Sequence, residues 1–243
     1  MTLETTQSGT TPPPPGPQSS PGAGLEAFRD PGAITKILLV VLWVGLALDV
    51  VAVVSGVFEY QLLQQIQSGA VSGPDMTDAA AADDMRQRII GLSQFTLYIV
   101  TVIVFSRWIY VLNCNKKPLG ASDLRFTPGW AVGWFFVPVA NLWKPYQAMK
   151  ELWQVSANPL GWQHQERGAL LPWWWFLWLL SNFLGQLSFR LGLNAKEVSE
   201  IVASSITDIM ADCSSVALEI VAIIIVSRVA KMQLAHRAGT IAS

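Results

Sequence analysis

Residues 126–153 read FTPGWAVGWFFVPVANLWKPYQAMKELW. The run is strongly apolar, carries Trp130, Trp134, Trp143 and Trp153, and is broken by Pro138 and Pro145. A water-soluble core rarely tolerates such a stretch. In a bilayer it reads as a segment that dips in, breaks and emerges as an interfacial helix. A full crossing needs about 20 apolar residues, because the hydrocarbon is ~30 Å thick and a helix rises about 1.5 Å per residue. The stretch from Trp130 to Trp143 is too short for that unless a helix continues through Lys144 and Pro145. Beyond Asn141, read as a cap, Leu142, Tyr146, Met149 and Trp153 fall on one helical stripe, with Lys144 and Lys150 off it. Pro145 is acceptable in a first turn. Such a helix is expected to lie in the interface with its basic residues toward anionic headgroups.

Composition agrees with a lipid environment. Of 243 residues, 51% are hydrophobic and 14% charged, against about 25% charged in a soluble domain. Eleven tryptophans suit the membrane–water boundary, where the ring is apolar and the N–H stays wet. A net charge of −1 excludes a polyanion footprint, so no nucleic-acid partner is expected. The two cysteines, Cys114 and Cys213, and the two histidines, His164 and His236, form no metal-ligand spacing. No HExxH, G-x-S-x-G, phosphate-binding loop or dinucleotide fingerprint is present. The sequence therefore reads as non-enzymatic, with no cofactor and no metal.

Residues 1–30 are rich in Thr, Ser, Gly and Pro. They cannot bury enough apolar surface to offset their ordering entropy, and are expected to be a disordered tail. The first apolar run begins near Ile37 and is too long for a signal peptide. A helical membrane domain is expected over 31–235 and a short tail over 236–243. Four segments are long and apolar enough to cross: 34–58, 89–112, 170–189 and 206–229. If 126–153 does not cross and the N-terminus is cytoplasmic, most Lys and Arg residues lie on the inner face. If it crosses, they divide evenly. The positive-inside rule therefore favours an all-α integral membrane protein with four transmembrane helices, a Pro-broken re-entrant and interfacial segment, and both termini cytoplasmic. Five transmembrane helices are the alternative. Gly69 to Pro74 breaks the acidic 59–88 connection into two helical extensions, with Asp75 or Thr77 as a cap.

The string Pro128-Gly129-Trp130, then Gly133-Trp134, Pro138 and Asn141-Leu142-Trp143-Lys144-Pro145-Tyr146-Gln147 resembles the signature of a bacterial membrane family, the domain of unknown function 4328. The order of apolar segments from about 40 to 230 is compatible with it, and the Pro-rich tail lies outside. The resemblance implies a bacterial inner-membrane protein. It implies no activity and transfers no catalytic residue.

Charged groups within a bilayer are costly and mark functional candidates. Asp49 falls mid-way along the first span. Asp208, Asp212, Ser215 and Glu219 project within about 60° of one another on the last. Arg107 is placed to snorkel or to pair with Glu219, and Ser93, Thr96, Asn182 and Gln186 to add hydrogen bonds. The stripe reads as an interhelical network, as a proton or cation path, or as a polar ligand pocket. Trp173–Trp175 with Trp178 read as an interfacial belt, with an aromatic ligand box as the alternative. Gly129 and Gly133 have the spacing that permits close helix contact. Lys144, Lys150 and Arg167 are candidates for anionic lipid headgroups, with an ordinary inner-face charge bias as the bland account. The sequence thus points to a lipid- or protein-interacting membrane component with a scaffold or regulatory role, or alternatively to a small transporter using its carboxylates.

Overall fold

The computed structural model describes residues 27–195 and 197–242. Most of the expected N-terminal tail, residues 1–26, lies outside the described residues. The chain is 80% helical, and no strand occurs among the described residues. Six helices follow in order: α1 Gly32–Gln67, α2 Pro74–Cys114, α3 Pro128–Gly133, α4 Lys144–Ala157, α5 Leu170–Asn194 and α6 Val198–Ala242. Of these, α1, α2 and α6 are long and apolar enough to cross a membrane. At 1.5 Å per residue, the 45-residue α6 is about 68 Å long, roughly twice the hydrocarbon thickness. The apolar spans are therefore cores of longer helices. Alanine-rich Ala79–Ala82 carries α2 beyond one end, and the segment read as a C-terminal tail continues α6 to Ala242. Helix α2 follows Gly73 (φ 66°) and opens on Pro74, with no side-chain cap from Asp75 or Thr77.

Helix α6 packs along α1 and α5, and α2 pairs with α1. The buried face of α1 runs through Leu38, Leu42, Gly45, Ala52 and Gly56, a 3–4 spacing that keeps one stripe toward α6. Two glycines set the approach. A Cβ on Gly56 would meet Ile209 Cγ1 at 2.7 Å, and one on Gly45 would collide with the Glu219 carboxylate. The opposite faces carry Val40, Trp43, Val50, Leu92, Phe95, Ile103 and Phe183, all exposed. Such a belt suits a lipid environment.

The described termini lie at one end of the bundle. The Arg237 guanidinium reaches Asp30 at 3.5 Å and covers the Phe28 ring. Gln233, wholly buried, donates to Leu112 O and Ser156 Oγ and accepts from Asn115 Nδ2, which also donates to Arg29 O. One amide thus ties α6 to the ends of α2 and α4. This terminal end also holds the loops 115–127 and 158–169.

Between α3 and α4 the chain reverses. Thr127 caps α3, accepting from Trp130 N, with Pro128 in the first turn. Val139 has φ 67° and ψ −54°, and Ala140 N donates to Pro138 O at 2.8 Å. That is a strained γ-turn, unusual for a β-branched residue. Phe135 reaches Phe105 and Trp178, and Trp175 Nε1 donates to Leu142 O. The tip is thereby held against α2 and the first turns of α5. Trp174 and Trp175 are buried while Trp173 is exposed, so the tryptophan triplet divides between core and surface. Helix α4 differs in register from the sequence reading. It begins at Lys144, Asn141 does not cap it, and its buried face is Ala148, Met149, Leu152 and Val155. Leu142 is exposed, because packing against α6 and α5 rather than a single interface selects the face. The Gly129–Gly133 spacing makes no helix contact: Gly129 has open space, and Gly133 meets its own neighbour Trp130.

Candidate functional site

Two polar assemblies stand out. The first runs along the middle of the long helices. The Gln94 side-chain amide donates to Asp49 Oδ1 at 3.1 Å and to Asp212 Oδ1 at 3.0 Å. One residue of α2 therefore joins carboxylates of α1 and α6. Glu59 continues the line, accepting from Gln87 and Ser205. Nearby, Arg86 pairs with Asp83 and donates to Ser55 Oγ. Asp208 and Ser188 face a groove of about 590 Å³ between α2 and α5, whose walls include Gly91, Gly185 and Gly192.

Of the expected stripe, Asp49, Asp208, Asp212 and Glu219 share this region, and two members depart from it. Arg107 is exposed and lies against the Tyr110 ring. Glu219 Oε2 is buried with no hydrogen-bond partner among the described residues, so the expected Arg107–Glu219 pair is absent. The reason is position along the bundle as well as rotation: Arg107 is on the exposed side of α2, and its neighbour Trp108 bonds Thr35 near the start of α1, whereas Glu219 lies against Gly45, ten residues further along. Ser215 makes no such contact among the described residues; its neighbour Ser214 bonds across to Ser181 at 2.6 Å. Ser93, Thr96 and Asn182 bond back to carbonyls of their own helices, the usual recourse of an exposed hydroxyl or amide in an apolar setting.

The second assembly is a cavity of about 610 Å³ at the terminal end, built on the signature segment. Its floor is a buried ion pair. Lys116 is wholly buried and Glu151 is 3% exposed. Lys116 Nζ donates to Glu151 Oε1 at 2.6 Å and to Phe126 O at 3.1 Å. Glu151 also accepts from the backbone N–H groups of Arg125 and Phe126. Burial pushes the Lys116 amine below the ordinary lysine range, and the Glu151 carboxylate beside it pulls it partly back. The pair fixes the loop 115–127 to α4, and so sets where α3 begins.

The walls follow from that anchoring. Lys144 and Lys150 come from α4, Arg125 from the loop, Trp130 from α3 and Trp134 from the residue that ends it, and Gln147 and Gln163 close the side. Lys144 Nζ lies 5.5 Å from the Trp134 ring centroid, and Trp130 and Trp134 pack at 4.8 Å. None of Arg125, Lys144 and Lys150 has a carboxylate partner among the described residues. Cationic groups and indoles thus share one concave surface, suited to an anionic group that also presents apolar or hydroxylated surface. Arg167 lies apart from the cavity lining, its guanidinium 3.4 Å from the Tyr146 hydroxyl. His164 is exposed in the adjoining loop.

Several of these residues had no sequence signal of their own. Gln94 is one amide in a long helix, and its role depends on two helices distant in sequence. Glu151 does carry a signal: it is the one acid between Phe126 and Ala157, inside an apolar run where a charge must be paired or functional.

The architecture is that of an all-helical protein with membrane-compatible helices and a basic, aromatic cavity at the end that carries its termini. The chain belongs to the family of the domain of unknown function DUF4328, whose model matches residues 73–231. That match covers the signature segment, both sides of the cavity and most of α6. It begins at Gly73, so α1 falls outside it. No curated protein and no solved structure matches the chain.

Proposed function

We propose that this is a multi-pass bacterial inner-membrane protein that binds anionic lipid headgroups in its terminal-end cavity and serves as a scaffold or regulatory component rather than as a catalyst. In this reading α5 is the fourth crossing. Its 25 residues give about 37 Å of helix, enough to span, although its tryptophans with Asn182 and Gln186 dilute its hydropathy. The segment 126–153 leaves and re-enters at the cytoplasmic face, and both termini are cytoplasmic. Support comes from the terminal end itself, where the ends of α2, α4 and α6 meet at Gln233. Phe136, Val139, Leu142 and Trp143 are exposed on the reversing segment, and a buried position in the inner leaflet offers them lipid.

The observation that carries the reading is the cavity with Arg125, Lys144 and Lys150, which have no carboxylate partner among the described residues, against Trp130 and Trp134. Lys144 and Lys150 face a headgroup directly, and Arg167 adds charge from outside the lining. Reversing both lysines, Lys144→Glu with Lys150→Glu, is expected to reduce co-purified anionic lipid by more than about tenfold. Native mass spectrometry of the detergent-extracted protein measures it, with the thermal midpoint as a folding control. Unchanged anionic lipid in a folded double variant refutes the assignment.

One observation favours a second reading, a proton or cation path. Glu219 Oε2 is buried with no hydrogen-bond partner among the described residues, on the same face of α6 as the Asp212 end of the Asp49–Gln94–Asp212 bridge. Asp49→Asn with Glu219→Gln abolishes flux in proteoliposomes if the path exists. Equal flux in the variant and the wild type removes it.

A further inference from the structure

The cavity is much larger than one phosphate group. Its volume of about 610 Å³ falls in the range of about 300–1,000 Å³ typical of sites for whole small molecules. Its chemistry is asymmetric. Arg125, Lys144 and Lys150 offer positive charge with no carboxylate partner among the described residues. The sole acid of the lining, Glu151, is held by Lys116 and two backbone N–H groups. An ammonium group would therefore find no available anion. Apart from Phe126 and Thr127, the remaining surface is amide and indole. Gln147 and Gln163 are exposed, and neither side chain makes a hydrogen bond among the described residues. Trp130 packs on Trp134 yet remains 55% exposed.

A carboxamide supplies two donors and an acceptor, the complement of vicinal hydroxyls. An indole face receives the C–H surface of a ring or polyol. Resting on the lipid-binding reading above, we propose that the cavity selects a phosphate-linked polyol. The phosphate lies among Arg125, Lys144 and Lys150, and the polyol lies over Trp130 with its hydroxyls on Gln147 and Gln163. Inositol, glycerol and sugar phosphates meet this description. Bare phosphomonoesters and zwitterionic ethanolamine headgroups do not.

The test uses the full-length protein in nanodiscs, with phosphatidylinositol, phosphatidylglycerol, phosphatidate and phosphatidylethanolamine as separate probes. Phosphatidylinositol is expected to bind at least about tenfold more tightly than phosphatidate, even though phosphatidate carries the greater headgroup charge. Gln147→Ala with Gln163→Ala, both at exposed positions, is expected to erase that preference while phosphatidate binding stays as it was. Phosphatidate binding as tightly as phosphatidylinositol overturns the polyol assignment but leaves the anionic-lipid reading standing. So does a preference that survives the double variant. Equal binding of phosphatidylethanolamine overturns both. Soluble inositol phosphate and glycerol phosphate identify the source. Saturation by the soluble headgroup without any lipid binding keeps the ligand chemistry and removes the lipid.

Discussion

Lys116→Met is expected to destabilise the protein by about 3–5 kcal/mol, the usual consequence of stranding one member of a buried ion pair. Lys116 is fully enclosed and Glu151 nearly so, so water cannot take over the lost contact. The variant also removes the donor to Phe126 O, which frees the loop that positions Thr127 and Pro128 at the start of α3. The loss should therefore appear twice, as a lower unfolding midpoint and as earlier proteolysis between Lys116 and Thr127. Lys116→Met with Glu151→Gln is expected to recover part of the stability, because the neutral amide removes the stranded charge while its oxygen still accepts from the Arg125 and Phe126 N–H groups. A single variant within about 0.5 kcal/mol of wild type, the range of ordinary surface changes, contradicts the role given to this pair. Denaturant titration in bicelles, followed by tryptophan fluorescence, makes the measurement.

The second large effect concerns the approach of α1 to α6. Gly56→Leu is expected to cost about 1–3 kcal/mol, as overpacking usually does, and more if the helices must separate. The clash begins at the first added atom, since a Cβ there already meets Ile209 Cγ1 at 2.7 Å. Moving α1 outward also disturbs Asp49, seven residues before Gly56 on the same stripe, and with it the bridge through Gln94. A matching relief, Gly56→Leu with Ile209→Ala, should return much of the loss if contact volume is the cause. Equal stability of Gly56→Leu and wild type shows that α1 and α6 do not pack at this distance.

The helices were legible because uninterrupted apolar length is a local property. Gly69–Pro74 marked the α1–α2 turn for the same reason, since Gly69 and Gly73 both adopt positive φ. Helix ends were less legible: Ala79–Ala82 and the residues after Val229 are good helix formers, so the helices outrun their apolar cores. The register of α4 departs from the single interfacial stripe because the helix packs against more than one neighbour. The helix instead buries Met149 and Leu152 against neighbouring helices and places Glu151 on Lys116. The carboxylates of α1 and α6 were visible as anomalies, but their partner was not. Helical phase could place Asp208, Asp212 and Glu219 together, whereas choosing Gln94 over Arg107 requires the register of α2 along α1 as well as its rotation, which the pattern of an apolar helix hardly constrains. The signature segment was recognised as a string, and its purpose as a cavity wall emerged only once Lys116 and Glu151 had fixed the loop against α4.

The claim on which the rest depends is that the cavity opens on the cytoplasmic face, at the end shared by both termini. Single cysteines at Gln147 and at Ser72, in a chain lacking Cys114 and Cys213, test it directly with a membrane-impermeant thiol reagent. In intact spheroplasts, Ser72→Cys is expected to label and Gln147→Cys to label only after the membrane is opened. Labelling at Gln147→Cys in intact spheroplasts, with Ser72→Cys protected or equally reactive, contradicts the account.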